Sequence, residues 1–208
     1  MSAQVHIVDA GIGNVRSVQR MFEEIDVDAE VATRPGEIAD AQRLVIPGVG
    51  AFDAAMAALD RGWHSDLDAL VLGRRVPVLG VCLGMQLLCR RSEEGEARGL
   101  GWLEADVVRL DTGGDRRLKV PHMGWADVRP ERPNPLIATT DGEPPRFYHV
   151  HKYRVVCDHP TDVIGTAHYG TDFTSAIRRA NIFGVQFHPE KSHRFGMELL
   201  RRFADLPC

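Results

Sequence analysis

The sequence predicts an α/β protein with a mostly parallel central sheet that is flanked by helices and continued by an antiparallel β extension. In the first half, short runs of Val, Ile and Leu without alternation are separated by helical patterns. Such strands are typical of a parallel sheet covered on both faces. From about residue 107 to 187, proline, glycine and short β-like segments dominate, and a helical pattern returns only at about 196–206. With no long linker or internal repeat, the 208 residues are predicted to form a single domain, 1–208.

The elements of the first half follow in regular order. Strands are predicted at 5–8 (VHIV), 29–32 (AEVA), 43–47 (RLVIP) and 76–81 (VPVLGV). Helices are predicted at 14–24, in the alanine-rich segment after Phe52 and at 64–72 (HSDLDALVL). In the second half the β-like segments are ADVVRL, RFYHV, DVIGTAHY, SAIRR and IFGVQF. Because strands there follow one another without helices between them, they indicate antiparallel pairing.

The composition excludes several classes of function. The formal net charge is −4 and the paired arginines are scattered, so no basic surface for nucleic acid is expected. No apolar run approaches the roughly 20 residues that cross a bilayer, and the first residues are too polar for a secretory signal. The four cysteines lack a CxxC spacing, which favours reduced thiols in the cytoplasm. No motif has metal-ligand spacing or fits a phosphate or dinucleotide, so no metal and no cofactor are predicted.

A cysteine between two glycines marks the end of the fourth predicted strand. The segment GVCLG places Cys82 after an apolar strand and before the helix-forming MQLLCRR. A nucleophile on a sharp strand-to-helix turn needs very small neighbours two residues away on each side, and Gly80 and Gly84 meet that demand. The helix N-terminus favours a thiolate, and the amide of Leu83 would point toward an oxyanion formed by attack. The pattern alone equally fits a structural cysteine in a glycine-rich turn.

Two further motifs offer the groups that a cysteine nucleophile requires. In NIFGVQFHPEKS, a strand ends at His188, and Glu190 lies two residues on, where its carboxylate can fix the tautomer of the imidazole. Nucleophile, base and orienting carboxylate then form the arrangement of acyl transfer. In VIPGVGAF, a strand ends in a loop whose amides are candidates for a second oxyanion donor, at Gly48, Val49 and Gly50. Either motif alone would fit an ordinary surface loop.

Taken in order, these motifs resemble those of the class I (triad) glutamine amidotransferases, and in particular the glutaminase subunits of imidazole glycerol phosphate synthases. VDAGIGN, PGVGAF, GVCLGMQLL, GLGWLEADVVRL, VPHMGW and FGVQFHPEKS follow one another from residue 8 to residue 192. The cysteine turn and HPE are typical of the superfamily, whereas PHMGW and HPEKS are typical of these subunits. The resemblance implies a flavodoxin-like class I glutamine amidotransferase fold.

The resemblance also implies a reaction. Cys82 would attack the carboxamide of L-glutamine to give a γ-glutamyl thioester and ammonia, and water would then release glutamate. His188 would move the protons while Glu190 holds its ring. Gln86 and Glu94 would hold the amino-acid end of glutamine.

A partner subunit is implied as well. In these synthases a (β/α)₈-barrel subunit, paired with the glutaminase as a heterodimer, uses the ammonia. It makes imidazole glycerol phosphate and an aminoimidazole carboxamide ribotide (AICAR), a step of histidine biosynthesis. The residues that match family positions at or near the interface are Asn14, Trp125, Tyr148 and Lys191.

Some positions depart from the family pattern. In FYHVHKY, His149 stands where the family has an aromatic residue, and Lys152 stands where it has a small hydroxyl residue beside the glutamine site. Two other histidines, His122 and His151, lie in family motifs without a carboxylate at useful spacing. They are predicted to pack or to hydrogen-bond with backbone.

Three other functions stay open on the sequence. The departures at positions 149 and 152 leave room for a paralogous glutaminase that supplies another synthase, such as one that amidates a surface sugar. Gene neighbourhood would separate the two. A non-catalytic regulatory subunit is disfavoured by the intact cysteine, histidine and glutamate. A stand-alone cysteine hydrolase on a related sheet would leave HPE and PGVG unexplained.

Overall fold

The computed structural model describes residues 4–139 and 142–207. Its helices are α1 (Val15–Glu24), α2 (Phe52–Leu59), α3 (Trp63–Asp68), α4 (Leu83–Leu87) and α5 (His193–Ala204). Its strands are β1 (Val5–Val8), β2 (Ala29–Ala32), β3 (Leu44–Gly48), β4 (Val78–Cys82), β5 (Arg91–Ser92), β6 (Ala105–Arg109), β7 (His122–Asp127), β8 (Arg129–Pro130), β9 (Arg146–His151), β10 (Tyr153–Cys157), β11 (Val163–Tyr169), β12 (Thr171–Arg179) and β13 (Ile182–Val185). The predicted fold class is confirmed, because a parallel core flanked by helices continues into antiparallel strands.

The parallel core has the strand order β2-β1-β3-β4-β13, and the sheet continues through β12, β10, β6 and β5. β4 lies between β3 and β13, with Gly48 opposite Cys82 and Val185 opposite Val81. The carboxyl ends of these three strands therefore meet at one edge of the sheet. Ligands bind at such edges in open α/β sheets. The motifs PGVG, GVCLG and HPE lie at or just beyond these three ends.

Helices cover the two faces of the parallel core. α1 and α5 pack on one face, where Phe22 and Phe203 are fully buried. α2 and α3 pack on the other, where Leu59 and Leu67 are fully buried. Strand residues are apolar toward both faces for this reason, which explains the unalternating runs in β1 and β4. No helix in the described ranges has both the length and the apolar character that a membrane crossing requires.

The structure differs from the sequence prediction in several elements. The helix predicted through MQLLCRR ends at Leu87, because the chain turns there and β5 then pairs with β6. The helix predicted at 64–72 divides into α3 and a π-helical turn at Ala69–Gly73. β7 and β10 are absent from the prediction. HMGWAD lacks β-branched residues, and YRVVC follows RFYHV after a break at Lys152.

β7 and β9 form a separate two-stranded sheet that carries three buried histidines, His122, His149 and His151. The ring of His122 stacks on Tyr169 at 4.1 Å and on His149 at 5.1 Å between centroids. Nε2 of His149 lies 2.9 Å from the hydroxyl of Ser175 on β12. The histidines therefore tie the small sheet to the large one.

The neighbours of these histidines favour neutral rings. The carbonyl of Phe147 lies 3.1 Å from Nδ1 of His149, and that of Tyr153 lies 2.8 Å from Nδ1 of His151, so each Nδ1 donates. Nε2 of His151 then accepts from Nδ1 of His122 at 3.4 Å. Burial lowers the pKa of His122 to about 4 and that of His151 to about 3, and it lowers the pKa of His149 well below its usual value. The arrangement agrees with the packing and backbone bonding predicted for His122 and His151.

We predict that the protein loses stability in acid because these histidines resist protonation. A histidine whose pKa is lower in the folded state contributes fully above its unfolded pKa of 6.5, and this contribution falls as pH drops toward the folded value. The free energy of unfolding decreases by about 1.4 kcal/mol per pH unit for each such group. His149→Phe removes one of them, so its denaturant midpoint should fall less than that of wild type between about pH 7 and pH 5. Identical pH dependence in the two proteins would contradict this explanation.

Candidate active site

Cys82 occupies a strained turn between β4 and α4. Its backbone has φ +55° and ψ −110°, a conformation that residues with side chains rarely adopt. Around it, neighbouring backbone segments are in direct contact, with no room for side chains between them. A Cβ at position 84 would lie 1.8 Å from the carbonyl oxygen of Ile46, and one on Gly80 would lie 2.6 Å from that of Gly84. Glycine is therefore required at both positions of GVCLG, because a side chain there would clash with the backbone. A nucleophile turn has this requirement.

His188 is held beside this turn by the second sheet. Its amide donates to the carbonyl of Tyr148 on β9 at 2.9 Å. Ser192 fixes both residues, because its hydroxyl donates to the carbonyl of His188 at 2.6 Å and accepts from the amide of Tyr148 at 3.0 Å. Nδ1 of His188 lies 2.7 Å from Oε1 of Glu190, so Nδ1 donates to the carboxylate. Nε2 is then the ring atom left to meet Cys82, and the interaction with Cys82 is one cause of the raised pKa of His188.

The charge state of His188 depends on burial and on its two partners. Burial lowers its pKa, but the hydrogen bonds to Cys82 and Glu190 outweigh burial and raise it to about 9. The side chains of His188 and Glu190 are only 4% and 3% exposed, so water screens their interaction little. At neutral pH the proton is therefore expected on His188, next to the sulfur.

A pocket of about 260 Å³ opens over Cys82 and His188. The other predicted site residues that line it are Val49, Gly50, Leu83, Gln86, Glu94 and Lys191. Gly48 pairs with Cys82 across β3 and β4, and Glu190 contacts His188. In the part of the chain that the structure describes, no three His, Cys, Asp or Glu side chains are grouped so as to hold a metal ion.

One amide of the loop after β3 donates a hydrogen bond within the protein and not toward the pocket. The N–H of Val49 donates to the carbonyl of Ile12 at 2.6 Å, so in this conformation it is not free for a substrate oxygen. Gly50 follows with φ +104°, which glycine adopts without strain. The amide of Leu83 is the first of α4 and has no intrahelical acceptor. Of the predicted oxyanion donors, Leu83 is available as it stands, whereas the Val49 peptide would have to turn.

The two side chains predicted to bind the amino-acid end of glutamine are both held by the protein. Oε2 of Glu94 accepts from the amide of Phe52 at 3.0 Å, at the start of α2. Nε2 of Gln86 donates to Oε1 of Gln186 at 3.0 Å and lies 3.5 Å from the carbonyl of Tyr153. These bonds orient both side chains at the pocket wall.

Several residues of the site have no role in the sequence prediction. The carbonyl of Val150 lies 3.7 Å from Sγ of Cys82, and a backbone group of this kind leaves no signal in the residue type. Lys152 lines the pocket with an exposed side chain, so this departure from the family pattern falls inside the site. Ser192 belongs to HPEKS, and its place in that motif is the signal that could have identified it.

The four predicted interface residues divide into a surface group and a helix cap. Trp125 is 40% exposed and meets Tyr148 edge-on at 5.9 Å between ring centroids. Lys191 lines the pocket. Asn14 caps α1, because its Oδ1 accepts from the amide of Ser17 at 3.4 Å.

A family model described as glutamine amidotransferase class-I matches residues 6–206. The chain belongs to the class I glutamine amidotransferases. One relative of this amidotransferase is the imidazole glycerol phosphate synthase subunit HisH 2 of Pseudomonas aeruginosa, which is 45% identical over 96% of this chain and 98% of the relative. A protein of the same name from Methanococcus maripaludis is 42% identical over 96% of this chain and 98% of its own. A crystal structure of a glutamine amidotransferase, 19% identical, matches 97% of this chain and 99% of its own with a TM-score of 0.72, which supports the fold.

We predict that a thiol reagent modifies Cys82 and spares Cys89 and Cys157. Burial raises the pKa of Cys89 well above its usual value, and burial together with nearby carboxylates raises that of Cys157 to about 12. Both thiols therefore stay protonated near neutral pH, whereas Cys82 lies at the pocket beside His188. Cys208 lies outside the described residues. Peptide mass spectrometry after brief exposure to an electrophilic glutamine analogue measures the labelling, and equal labelling of Cys82 and Cys89 would refute the argument.

Glu190→Gln should move the alkaline limit of glutamine hydrolysis to lower pH. A protonated His188 is needed to protonate the departing ammonia. The carboxylate of Glu190 contributes to the raised pKa of His188, so the neutral amide should let His188 lose its proton below the wild-type value of about 9. The measurement is the pH at which kcat/KM falls to half on the alkaline side. A folded variant with an unchanged alkaline limit would be inconsistent with this role of Glu190.

Proposed function

We propose that this amidotransferase is the glutaminase subunit of an imidazole glycerol phosphate synthase. The observation that carries the proposal is the buried arrangement of Cys82, His188 and Glu190 at a pocket, with Nδ1 of His188 2.7 Å from Oε1 of Glu190. Relatives named as subunits of that synthase match nearly the whole chain and support the choice of synthase. The substrate is then L-glutamine, and the products are glutamate and ammonia.

Acylation starts from Cys82 as a thiolate and His188 as an imidazolium. Sγ forms a bond to the carboxamide carbon, and the π electrons of the C=O bond move to oxygen. The imidazolium gives its proton to the nitrogen, the C–N bond breaks as the oxyanion collapses, and ammonia leaves. A γ-glutamyl thioester stays on Cys82, and His188 is neutral.

Deacylation uses the neutral His188 as a base. His188 takes a proton from water while the water oxygen attacks the thioester carbon. The C–S bond breaks, and the product leaves with the second proton of water on its new γ-carboxyl group, which ionises in solvent to give glutamate. Cys82 and His188 return as thiolate and imidazolium, so the protons balance. Glu190 holds the ring and stabilises the imidazolium without taking the proton.

In this proposal, residues of the pocket wall bind the substrate. Gln86 and Glu94 hold the amino-acid end of glutamine, and the carboxylate of Glu94 suits the α-ammonium group. The amide of Leu83 donates to the oxyanion that forms when Sγ attacks. The orientation of Gln86 and Glu94 by protein hydrogen bonds supports this assignment, because preorganised groups bind at lower entropic cost.

The second oxyanion donor comes from the loop Gly48–Gly50 and is the proposed point of control. The bond from the amide of Val49 to Ile12 supports a quiet state of the lone chain, because that amide is withheld from the substrate. Removal of one oxyanion donor costs roughly 3–4 kcal/mol of transition-state stabilisation. A turn of this one peptide would therefore change the rate by about two to three decades while Cys82 and His188 stay in place.

The partner in this proposal is a (β/α)₈-barrel subunit in the cytoplasm. It receives the ammonia and makes imidazole glycerol phosphate and AICAR in histidine biosynthesis. The chain acts as a single domain, 1–208, and meets the barrel through Asn14, Trp125, Tyr148 and Lys191. The exposure of Trp125, its contact with Tyr148 and the place of Lys191 in the pocket wall support this surface.

Ammonia release by the purified chain should rise when the barrel subunit and its ribonucleotide substrate are added. We expect kcat to increase by about two to three decades, with a smaller change in KM, because the oxyanion donor acts mainly in the transition state. Cys82→Ala should abolish hydrolysis and still bind the barrel. Trp125→Ala should weaken binding of the barrel.

Each other outcome excludes part of the proposal. A lone chain that is fully active and indifferent to both additions would contradict control through the oxyanion loop. Hydrolysis without binding of the barrel, together with co-purification of a different synthase, would favour the paralogous glutaminase. Absence of hydrolysis in the assembled complex would refute the enzymatic role.

A further inference from the structure

A buried glutamine lies next to the sulfur of Cys82. Gln186 is 0% exposed and follows β13 where that strand runs beside β4, with Val185 opposite Val81. Its backbone amide donates to the carbonyl of Ser175 at 2.9 Å, which continues the pairing with β12. The strand register therefore brings Gln186 alongside Cys82, and Nε2 of Gln186 lies 3.7 Å from Sγ.

The orientation of this side-chain amide is set by Gln86. Nε2 of Gln86 lies 3.5 Å from the carbonyl of Tyr153, and a carbonyl only accepts hydrogen bonds. The same nitrogen lies 3.0 Å from the side-chain amide of Gln186, so the atom that it meets there is the acceptor, Oε1. Nε2 of Gln186 is then the atom that faces Cys82, and the sulfur meets a donor.

We propose that Gln186 is a further catalytic residue, whose side-chain N–H donates to Sγ of Cys82 and stabilises the thiolate. The inference rests on the proposed function, in which Cys82 is the nucleophile. A hydrogen bond is stronger when its acceptor is charged, so this donor favours the thiolate over the thiol. The proton that leaves Sγ is held by His188, and the donated bond from Gln186 is kept until the thioester forms.

The position of Gln186 predicts which kinetic constants it affects. It reaches Sγ without joining the described residues that line the pocket. Loss of its donor alone, with the acceptor for Gln86 kept, should therefore lower kcat and the reactivity of Sγ, while KM for glutamine changes little. A purely structural role would lower stability without changing how the reactivity of Sγ depends on pH.

Alkylation of Cys82 by iodoacetamide, followed across pH in the full-length protein by mass spectrometry, tests the inference. Gln186→Glu keeps the length of the side chain and the acceptor for Gln86 but replaces the donor by a carboxylate, and Gln186→Leu removes donor and acceptor together. We expect both changes to slow alkylation at neutral pH by about tenfold or more and to move the midpoint of the rate profile to higher pH. Cys89 should stay unmodified, as a sign that the core stays closed.

A matched control is available at the other end of β13. Nδ2 of Asn181 donates to the carbonyls of Val71 and Val76, both at 2.9 Å, so Asn181→Asp also replaces a hydrogen-bonded, partly buried amide by a carboxylate. This variant should keep the wild-type alkylation profile. An equal slowing in Asn181→Asp would assign the effect to general loss of core stability and overturn the inference.

The remaining outcomes separate this inference from the proposed function. Folded Gln186→Glu and Gln186→Leu proteins with the wild-type profile would overturn the role of Gln186 alone. If Gln186→Glu does not fold, Gln186→Leu decides by the same criterion. A wild-type Cys82 no more reactive than free cysteine would overturn the nucleophile itself, and with it both proposals.

Discussion

The close contact between the backbones of Gly84 and Ile46 is the constraint on which the site depends. Because a Cβ at position 84 would lie 1.8 Å from the carbonyl oxygen of Ile46, α4 can start beside β3 only with glycine there. That start holds Cys82 at φ +55°, a strained conformation that costs of the order of 1–3 kcal/mol. The buried parallel core around the turn offsets this cost, so the position of the sulfur is fixed by packing in that core.

The second sheet aligns the base with the nucleophile. β9 holds the amide of His188 through the carbonyl of Tyr148, and it places the carbonyl of Val150 near Sγ of Cys82. The same strand is tied to the large sheet by the bond between His149 and Ser175. The relative position of Cys82 and His188 therefore depends on how two sheets pack, and the buried histidines are part of that packing.

Much of this molecule is predictable from the sequence, because its strongest signals are local. Apolar runs predict the parallel strands, and the spacing of glycines around Cys82 predicts the turn. The features that the sequence does not predict depend on contacts between segments that are distant in the chain. In the sequence, Gln186 is an ordinary polar residue near a strand end. Only the register of β13 on β4 shows that it lies beside Sγ. The bond from Val49 to Ile12 likewise depends on the conformation of two loops, which no residue type specifies.

Trapping of the acyl-enzyme tests most directly the central claim that Sγ of Cys82 carries the γ-glutamyl group. The full chain is mixed with excess glutamine, quenched in acid during turnover, digested and examined by mass spectrometry. We expect a mass increase of one γ-glutamyl group on the peptide that contains Cys82, with none in Cys82→Ala. A γ-glutamyl adduct on a different residue, or turnover by Cys82→Ala, would contradict it.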